Sequence, residues 1–344
     1  MKLNQLRDML AVAENGSLRA AARQLGIAQP ALTRSIQELE RELGVPLFER
    51  KSKGVAVTAM GELFMRRASA VQSELRRARE EIDQVRGHYH GQVTVCLSSA
   101  AHIALLPYAL PQFRARYPGV HLDIVEGLYP VIESELKGGI VDCYIGPPPR
   151  EVPGPQLLVE KLFDNTRVIL CRKGHPLAHA RSLRALIDAE WLSTSVTYRV
   201  DDELGPIFAQ QGLPAPRVVV QGHSALTLIV AVAYSDLLIM LPRQWVQFPL
   251  TRDALQHVDV VEPLPAPPIC IIRRAGLPLT PAAEFFCDMI RRASAHLDAR
   301  RVDNDVMSMA KPAVAKPAMA KPAMAKPAMA KPATRALKPR SKVA

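Results

Sequence analysis

The sequence predicts an α/β protein built from a mainly α-helical N-terminal winged helix-turn-helix, a long linker helix and a two-lobed α/β domain. Three observations carry this prediction. Two helical segments stand close together within residues 17–43, apolar residues repeat in heptads within residues 59–85, and strand-like and helix-like segments alternate from residue 91 onward. Alternation of this kind is typical of sheets covered by helices.

The first two helical segments have clear start and stop signals. Ser17 can cap a helix over residues 18–25, and Gly26 can accept the left-handed conformation that ends it. A second helix is predicted over Gln29–Leu43, with a proline in its first turn and Gly44 after its last residue. Two helices joined by about three residues have the spacing of a helix-turn-helix.

The second helix has one apolar and one polar face. The apolar face can pack on the first helix, and it consists of Leu32, Ile36, Leu39 and Leu43. The polar face consists of Gln29, Thr33, Arg34 and Gln37. A recognition helix places such a face in the major groove, where Arg pairs with guanine and Gln with adenine. The alternative is an ordinary helical hairpin whose polar face is solvated.

A basic hairpin is predicted directly after these helices. Residues 46–54 and 55–58 form two short strands around a turn that contains glycine. Three cations, Arg50, Lys51 and Lys53, lie at its tip. Cations beside a recognition helix supply affinity for DNA phosphates that does not depend on base sequence. The hairpin therefore favours a DNA-binding wing.

The run Leu3–Thr58, with SLRAAARQLGIAQPALTRSIQELERELGVPLFER at its centre, resembles the winged helix-turn-helix of the LysR-type transcriptional regulators. The resemblance implies that Gln29, Pro30, Ala31, Thr33, Arg34 and Arg50 lie at the DNA. We add Ser17 and Arg19, at the start of the first of the two helices, to the predicted DNA-binding residues. Ala28 stands where the family often has a serine.

Composition fits a regulator and excludes several other classes. The net charge of +11 is concentrated at the ends: it is +4 for residues 1–90, −2 for 91–305 and +9 for 306–344. The five cysteines are widely spaced without a C-x-x-C pair, so neither a disulfide framework nor a zinc finger is expected, and no metal or cofactor is predicted. The N-terminus has no apolar secretory segment, and the apolar stretch 225–241 is interpreted as buried core, so we expect a cytoplasmic, nucleoid-associated protein without membrane contact.

Residues 59–85 predict a dimerisation helix of roughly 40 Å. Its heptad positions are Phe64, Ala68, Val71, Leu75, Ala78, Ile82 and Val85, of which Phe64, Val71, Leu75, Ala78 and Ile82 are the predicted dimer contacts. The charged residues between them, Arg77 and Glu80 included, argue against a core helix. The alternative is that the stripe packs on its own domain. A dimer would bind a partly palindromic DNA site, and the family uses the matching helix in this way.

The alternating region predicts two lobes with mostly parallel strands joined by right-handed crossovers. The predicted parts are residues 1–58 (DNA-binding domain), 59–87 (linker helix), 91–300 (two lobes, with lobe I at about 91–161 and 267–300 and lobe II at about 162–266) and 306–344 (tail). A single helix is expected over residues 103–117, and a closing helix over 281–292. This region resembles, more weakly, the LysR-type effector domain, which is similar to periplasmic solute-binding proteins.

A small-molecule effector is expected in the cleft between the lobes. Ser98 and Ser99 end a strand and precede a helix, so their hydroxyls and the helix N–H groups can hold a carboxylate. The alternative is that they only cap the helix. Weaker candidates from the facing lobe are Ser195, Gly222 and His223. We expect a small organic acid, and the resemblance implies further partners: a second subunit, a dimer of dimers and RNA polymerase.

Enzyme and metal interpretations are weak. Residues 222–226 have the first glycine and the serine of a nucleophile elbow but lack its second glycine. Cys171, His175 and His179 have helical metal-ligand spacing, but Gly174 and Pro176 break any helix there. A transcription factor is therefore the leading prediction, and a solute-binding module is the second.

The end of the chain is a basic repeat. The pentad Ala-Lys-Pro-Ala-(Met/Val) recurs from residue 310 without any acidic residue after Asp305. A proline in every fifth position predicts an extended, disordered segment. It is similar to the tails of histone-like nucleoid proteins, so non-specific DNA binding is one interpretation and a solubilising tail is the other. An architectural nucleoid protein is the third function class.

Overall fold

The computed structural model describes residues 1–52, 54–149, 151, 154–194 and 201–309. Two predicted site residues, Lys53 and Ser195, and the basic repeat at 310–344 lie outside these residues. Residues Met1–Arg301 form one compact unit.

Three helices form the N-terminal core: α1 (Leu3–Asn15), α2 (Leu18–Leu25) and α3 (Gln29–Leu43). The bounds predicted for α2 and α3 are confirmed, and both helices end at glycines in the left-handed conformation, with φ of 66° at Gly26 and 73° at Gly44. On the predicted apolar face of α3, Leu32, Ile36 and Leu39 are buried with the apolar residues of α1, and Leu43 is partly buried. Helix α1 is not among the elements predicted from the sequence.

The hairpin and the linker helix follow as predicted. Strands β1 (Phe48–Lys51) and β2 (Gly54–Val57) pair antiparallel, with Phe48 opposite Val57. Helix α4 (Ala59–Val85) begins after Thr58, whose hydroxyl accepts a hydrogen bond from the Gly61 amide at 3.0 Å.

Lobe I begins with β3 (His90–Leu97), α5 (Ser99–Ala104), α6 (Leu106–Arg116), β4 (Gly119–Glu126), α7 (Tyr129–Gly138) and β5 (Cys143–Gly146). The single helix expected over residues 103–117 is wrong, because the chain forms two helices that meet at Leu105. Pro107 lies in the first turn of α6, and its missing N–H prevents α5 from continuing through it.

Lobe II and the closing elements comprise β6 (Leu157–Arg172), a 3₁₀ turn (Leu183–Leu186), β7 (Glu190–Ser193), α8 (Asp201–Gln210), β8 (Arg217–Gln221), α9 (Ala225–Ala233), β9 (Leu238–Pro242), α10 (Gln244–Gln247), α11 (Pro249–Arg252), β10 (Leu255–Val258), β11 (Pro265–Arg274) and α12 (Pro281–Met309). The expected end of the closing helix at residue 292 is corrected, since α12 continues to Met309. No proline or glycine interrupts the sequence between Pro281 and that residue.

The sheet is mixed rather than mostly parallel. Its order is β4-β3-β5-β11-β6-β9-β7-β8, with β10 beside β6. Strand β3 is parallel to β4 and β5, and β7 is parallel to β8 and β9, whereas β6 and β11 run antiparallel to their neighbours. The first half of β6 pairs with β11 in lobe I, and residues from Arg167 onward pair with β9 in lobe II. The chain therefore crosses between the lobes within β6, near Thr166.

Each lobe has its own apolar core. The core of lobe I includes Phe113 and Phe286, and that of lobe II includes Trp191 and Phe208. The apolar stretch 225–241 forms α9 and β9, which bury Leu228 and Val232. Among the described residues, no helix is both long and apolar enough to cross a lipid bilayer.

Candidate functional site

One face of α3 carries the predicted base-reading residues and is free of packing within the chain. Gln29, Pro30, Ala31, Arg34 and Gln37 are exposed, and Thr33 is half-buried. An open cavity of about 530 Å³ lies on this face, lined by Gln29, Pro30, Thr33, Arg34 and Gln37. Because the opposite face is fixed in the core, the helix presents guanidinium and amide groups outward on a rigid support.

Polar contacts fix the angle between the helices. The buried carboxylate of Asp8 accepts a hydrogen bond from Ser35 Oγ at 2.6 Å and lies 2.8 Å from Arg7 Nη2. Ser17 Oγ accepts the Ala20 amide of α2 at 3.4 Å, as a cap. Ala28 occupies the cap position of α3 without a side-chain hydrogen bond.

The wing presents Arg50 and Lys51, both exposed on β1. Lys51 Nζ lies 2.8 Å from Glu49 Oε1, so its positive charge is already partly paired within the chain. Outside the wing, the exposed side chain of Arg19 on α2 adds another cation. A single carboxylate anchors the start of the wing: Glu40 Oε1 accepts the amides of Leu47 at 2.7 Å and of Phe48 at 3.1 Å.

The base of the wing contacts the turn after α1. The Val55 amide donates to the Gly16 carbonyl at 2.9 Å. Gly54 has φ of 118°, and a Cβ there would lie 2.3 Å from the same carbonyl oxygen. A glycine is required at this position, since any side chain would separate wing and turn.

The predicted effector residues of lobe I both have partners in the chain. Ser98 is buried, and its Oγ accepts the Ala101 amide at 3.4 Å, which is the capping alternative. Ser99 is half-buried, and its Oγ accepts a hydrogen bond from Trp245 Nε1 of lobe II at 3.4 Å. The indole joins the two lobes at this point.

Trp245 was missed by sequence reasoning. Its indole is almost fully buried, and a buried indole N–H needs an acceptor. That need was the available signal, but sequence alone does not identify an acceptor 146 residues away in the chain.

The predicted residues of lobe II follow β8. Gly222 is buried, its amide donates to the Ser193 carbonyl at 3.0 Å, and a Cβ on it would lie 2.6 Å from Leu228 Cδ2. The next residue, His223, is exposed. Gly222 therefore has a packing role in addition to its predicted one.

The predicted dimer contacts on α4 divide into two groups. Phe64 packs on the core of its own winged helix, as in the alternative interpretation, and Ala68 is buried. The remaining positions are exposed: Val71 (43 %), Leu75 (38 %), Ala78, Ile82 (59 %) and Val85 (75 %). The argument that the charged residues exclude burial is wrong for Arg77 and Glu80, which are buried against lobe I.

His175, whose spacing from Cys171 and His179 is only a weak metal-site signal, has a structural role. His175 Nδ1 accepts the Leu177 amide at 3.0 Å, so Nε2 donates to the Asp236 carbonyl at 3.0 Å. Both ring nitrogens are occupied by backbone groups. Across the described part of the chain, no group of three or more His, Cys, Asp or Glu side chains is placed to hold a metal ion.

Comparisons with known proteins agree with this architecture. Residues 3–62 match the family model "Bacterial regulatory helix-turn-helix protein, lysR family", and residues 86–295 match "LysR substrate binding domain". The chain is 27 % identical to the transcriptional regulator GbpR of Azospirillum brasilense over 297 residues, which is 86 % of this chain and 87 % of that one. It is 30 % identical to the SDS degradation transcriptional activation protein of a Pseudomonas species over 294 residues, 84 % of this chain and 95 % of that one.

Among solved structures, a full-length OxyR variant from Pseudomonas aeruginosa superposes with a TM-score of 0.63 at 25 % identity. The match covers 85 % of this chain and 95 % of that one. The likeness therefore extends over both the helix-turn-helix and the two-lobed domain.

Proposed function

The chain belongs to the LysR family of bacterial transcriptional regulators, and on that premise we propose which residues of this DNA-binding regulator contact DNA and which contact the effector. The exposed face of α3 reads bases through Arg34, Gln29 and Gln37, while Arg50 and Lys51 of the wing bind phosphates. The single observation that carries this proposal is the outward-facing polar surface of α3 on a buried core.

The DNA contacts are tested with footprinting and binding measurements on the DNA upstream of the protein's own gene. Arg34→Ala is expected to weaken specific binding by about 1–3 kcal/mol, or about 5- to 150-fold, and to weaken binding to random DNA much less. Arg184→Ala, which removes an exposed arginine of lobe II, is the charge-matched control. Equal losses for specific and random DNA would show that Arg34 contacts only phosphate.

Three stretches of the chain have separate roles in this proposal. We take residues 1–58 as the DNA-binding domain, 59–87 as the linker and 91–300 as the effector domain. The exposed apolar residues of α4 support dimerisation through this helix. A dimer binds a partly palindromic site, two dimers can form a tetramer, and RNA polymerase is a further partner of the bound complex. Such a regulator acts at the chromosome, so we assign it to the cytoplasm.

The effector is proposed to be a small organic acid bound between the lobes at Ser99. The Ser99 hydroxyl lies at the contact between the lobes, where Trp245 donates to it, and a carboxylate there would compete for the indole N–H. Tryptophan fluorescence and melting temperature are measured with benzoate and with short aliphatic acids, in wild type and Ser99→Ala. The same response in both proteins, or no response to any acid, would contradict this assignment.

The basic repeat is proposed to bind duplex phosphate without sequence preference, raising the local concentration of the regulator on DNA. Its nine cations and absence of acidic residues support this role. Truncation after Asp305 is expected to flatten the dependence of log affinity on log salt by about 0.9 for each phosphate that the repeat neutralises. An unchanged slope would leave only a solubilising role.

Other classes are less favoured. The family consists of transcriptional regulators, so the glycine and serine at 222–226 are better explained by the packing of Gly222 and by the cap that Ser224 Oγ gives α9, where it accepts the Thr227 amide at 3.2 Å. The helix-turn-helix match disfavours both a solute-binding receptor and a purely architectural nucleoid protein.

A further inference from the structure

From residue 71 onward, helix α4 buries its polar side and exposes its apolar side. Arg77, Glu80 and Gln84 are each less than 10 % exposed, although helices normally bury an apolar stripe. The apolar residues Val71, Leu75, Ile82 and Val85 of the same helix face solvent. The buried side contacts lobe I, and we call this contact the α4–lobe I polar interface.

A buried ion pair lies at its centre. Arg77 Nε donates to Asp142 Oδ1 at 2.8 Å, and Asp142 Oδ2 accepts the Thr94 amide of β3 at 2.8 Å. Glu74 joins this pair to the sheet, since its Oε1 lies 2.6 Å from Arg77 Nη1 and 2.5 Å from Arg274 Nη2 of β11. Charges from α4 therefore meet charges and amides from two strands of lobe I.

Two further side chains of α4 bind backbone groups of lobe I. Glu80 Oε1 accepts the Gln92 amide of β3 at 3.2 Å. Gln84 Oε1 accepts the Ala282 amide at the start of α12 at 2.9 Å, and its Nε2 donates to the His90 carbonyl at 3.2 Å. The amides of Gln92, Thr94 and Ala282 thus depend on side chains of α4 and of its partner Asp142 for these hydrogen bonds.

The neighbouring surface is open. A groove of about 390 Å³ runs beside α4, with Leu10 of the winged helix and Ile140 of lobe I in its lining. Its remaining lining residues are on α4: Ser69, Gln72, Ser73 and Arg76. At this point the groove lies between the DNA-binding domain and lobe I, and α4 with its polar interface connects them.

We propose that the α4–lobe I polar interface is a reversible joint, with a docked state and a released state that alter the angle between the DNA-binding domain and lobe I. Burying an ion pair costs about as much hydration as its attraction returns, so separating it in water costs little. An apolar contact of the same area would be far harder to separate. Burial raises the pKa of Asp142 despite the adjacent Arg77, which indicates that desolvation here is incompletely compensated.

The regulatory consequence rests on the proposed function. In a dimer held through the exposed apolar side of α4, release on the polar side moves the lobes relative to the paired DNA-binding domains without dissociating the dimer. An effector that prefers one state would then shift the population of the other. The permanent and the separable contacts of α4 lie on different sides of one helix.

Hydrogen exchange measured by mass spectrometry with residue resolution tests the joint directly in the full chain. In the wild type, the amides of Gln92 and Ala282 are expected to exchange at least about ten times faster than the central β5 amides of Tyr144 and Ile145. Asp142→Asn removes the buried carboxylate that pairs with Arg77 and leaves it only the partly exposed Glu74, so it is expected to speed exchange at Gln92 and Ala282 by about tenfold or more. Arg79→Met, on the exposed side of α4, is the control and leaves it unchanged.

A double variant tests the opposite direction and remains informative if Asp142→Asn does not fold. Arg77→Met/Asp142→Asn removes both charges of the central ion pair and keeps an acceptor for the Thr94 amide, so it is expected to slow exchange at Gln92 and Ala282 by about tenfold. If the amides of Gln92 and Ala282 exchange as slowly as those of Tyr144 and Ile145 in every variant, the proposal is overturned. The measurement uses neither DNA nor effector, so its failure is distinct from a failure of the footprinting experiments.

Discussion

The substitution Gly61→Ala tests the close contact between the wing and the linker helix α4. A Cβ on this residue would lie 2.2 Å from the Leu47 carbonyl oxygen and 2.7 Å from Val57 Cγ1. That carbonyl also accepts the Thr58 amide at 2.9 Å. The alanine must therefore push the backbone before β1 away from α4 by about 1 Å and strain a hydrogen bond at the same time.

The size of the effect follows from opposing contributions. Overpacking of this kind costs about 1–3 kcal/mol and a strained hydrogen bond about 1 kcal/mol. Replacing glycine with alanine inside a helix returns about 1 kcal/mol. The expected net loss in the free energy of unfolding is about 2 kcal/mol. For a domain as small as the DNA-binding domain, this loss lowers the melting temperature by about 8–16 °C.

Far-UV circular dichroism is the suitable assay. Both tryptophans, Trp191 and Trp245, lie in lobe II, so fluorescence reports on that lobe and circular dichroism detects loss of the N-terminal helices. Gly138→Ala is the control, because at this helical glycine no described atom beyond its neighbours and its own helix backbone lies within 4 Å of the Cβ position. The control is expected to stabilise by about 0.5–1 kcal/mol. A higher melting temperature for Gly61→Ala, as for the control, would refute the close approach of α4 to the wing.

Four further outcomes are expected. Arg50→Gln should reduce the salt dependence of binding to specific and random DNA alike by about 0.9 log units, measured by fluorescence anisotropy. Leu75→Glu should convert the dimer to monomer in analytical ultracentrifugation, whereas Glu81→Ala on the same helix should not. A dimer in both variants would exclude dimerisation through the apolar residues of α4. All five cysteines are buried thiols, and burial raises the pKa of Cys96 to about 12. Ellman's reagent should therefore react slowly with the native protein, and it should react with five thiols after unfolding. Partial desolvation lowers the pKa of His257 from its usual 6.5. As the pH falls through 6.5, the unfolded chain takes up this proton before the folded chain does, so stability is lost, and His257→Gln should remove that part of the loss in urea titrations.

Local signals predicted the N-terminal half well. Gly26 and Gly44 end their helices in the left-handed conformation that their residue type favours, and the spacing of apolar residues on α3 defined its buried face. The short hairpin was predictable because alternating residues and a glycine turn are close in sequence. These features depend on interactions within a few residues.

Long-range contacts were not predictable in the same way. Arg77 and Glu80 have the composition of a solvated helix face, and their burial depends on Asp142 and on the β3 backbone, which are distant in the chain. Ser99 was singled out, but its partner Trp245 was not, since neither residue carries a sequence signal for the other. The first half of strand β6 pairs with β11, about 100 residues later in the chain, so the neighbouring sequence carries no signal for the start of this strand.

The length of β6 limits how the two lobes can move. This one 16-residue strand belongs to the sheet of lobe I through its first half and to that of lobe II through its second. A change in the angle between the lobes must therefore be absorbed as twist along a continuous strand, because a free swivel would break its ladder. The returning strand β11 has a register irregularity between Ala266 and Ile269, where Pro267 and Pro268 lack amide donors. The β6–β11 ladder is thus interrupted close to the point where β6 passes from one lobe to the other, so twist along β6 meets the least resistance from β11 at this proline pair.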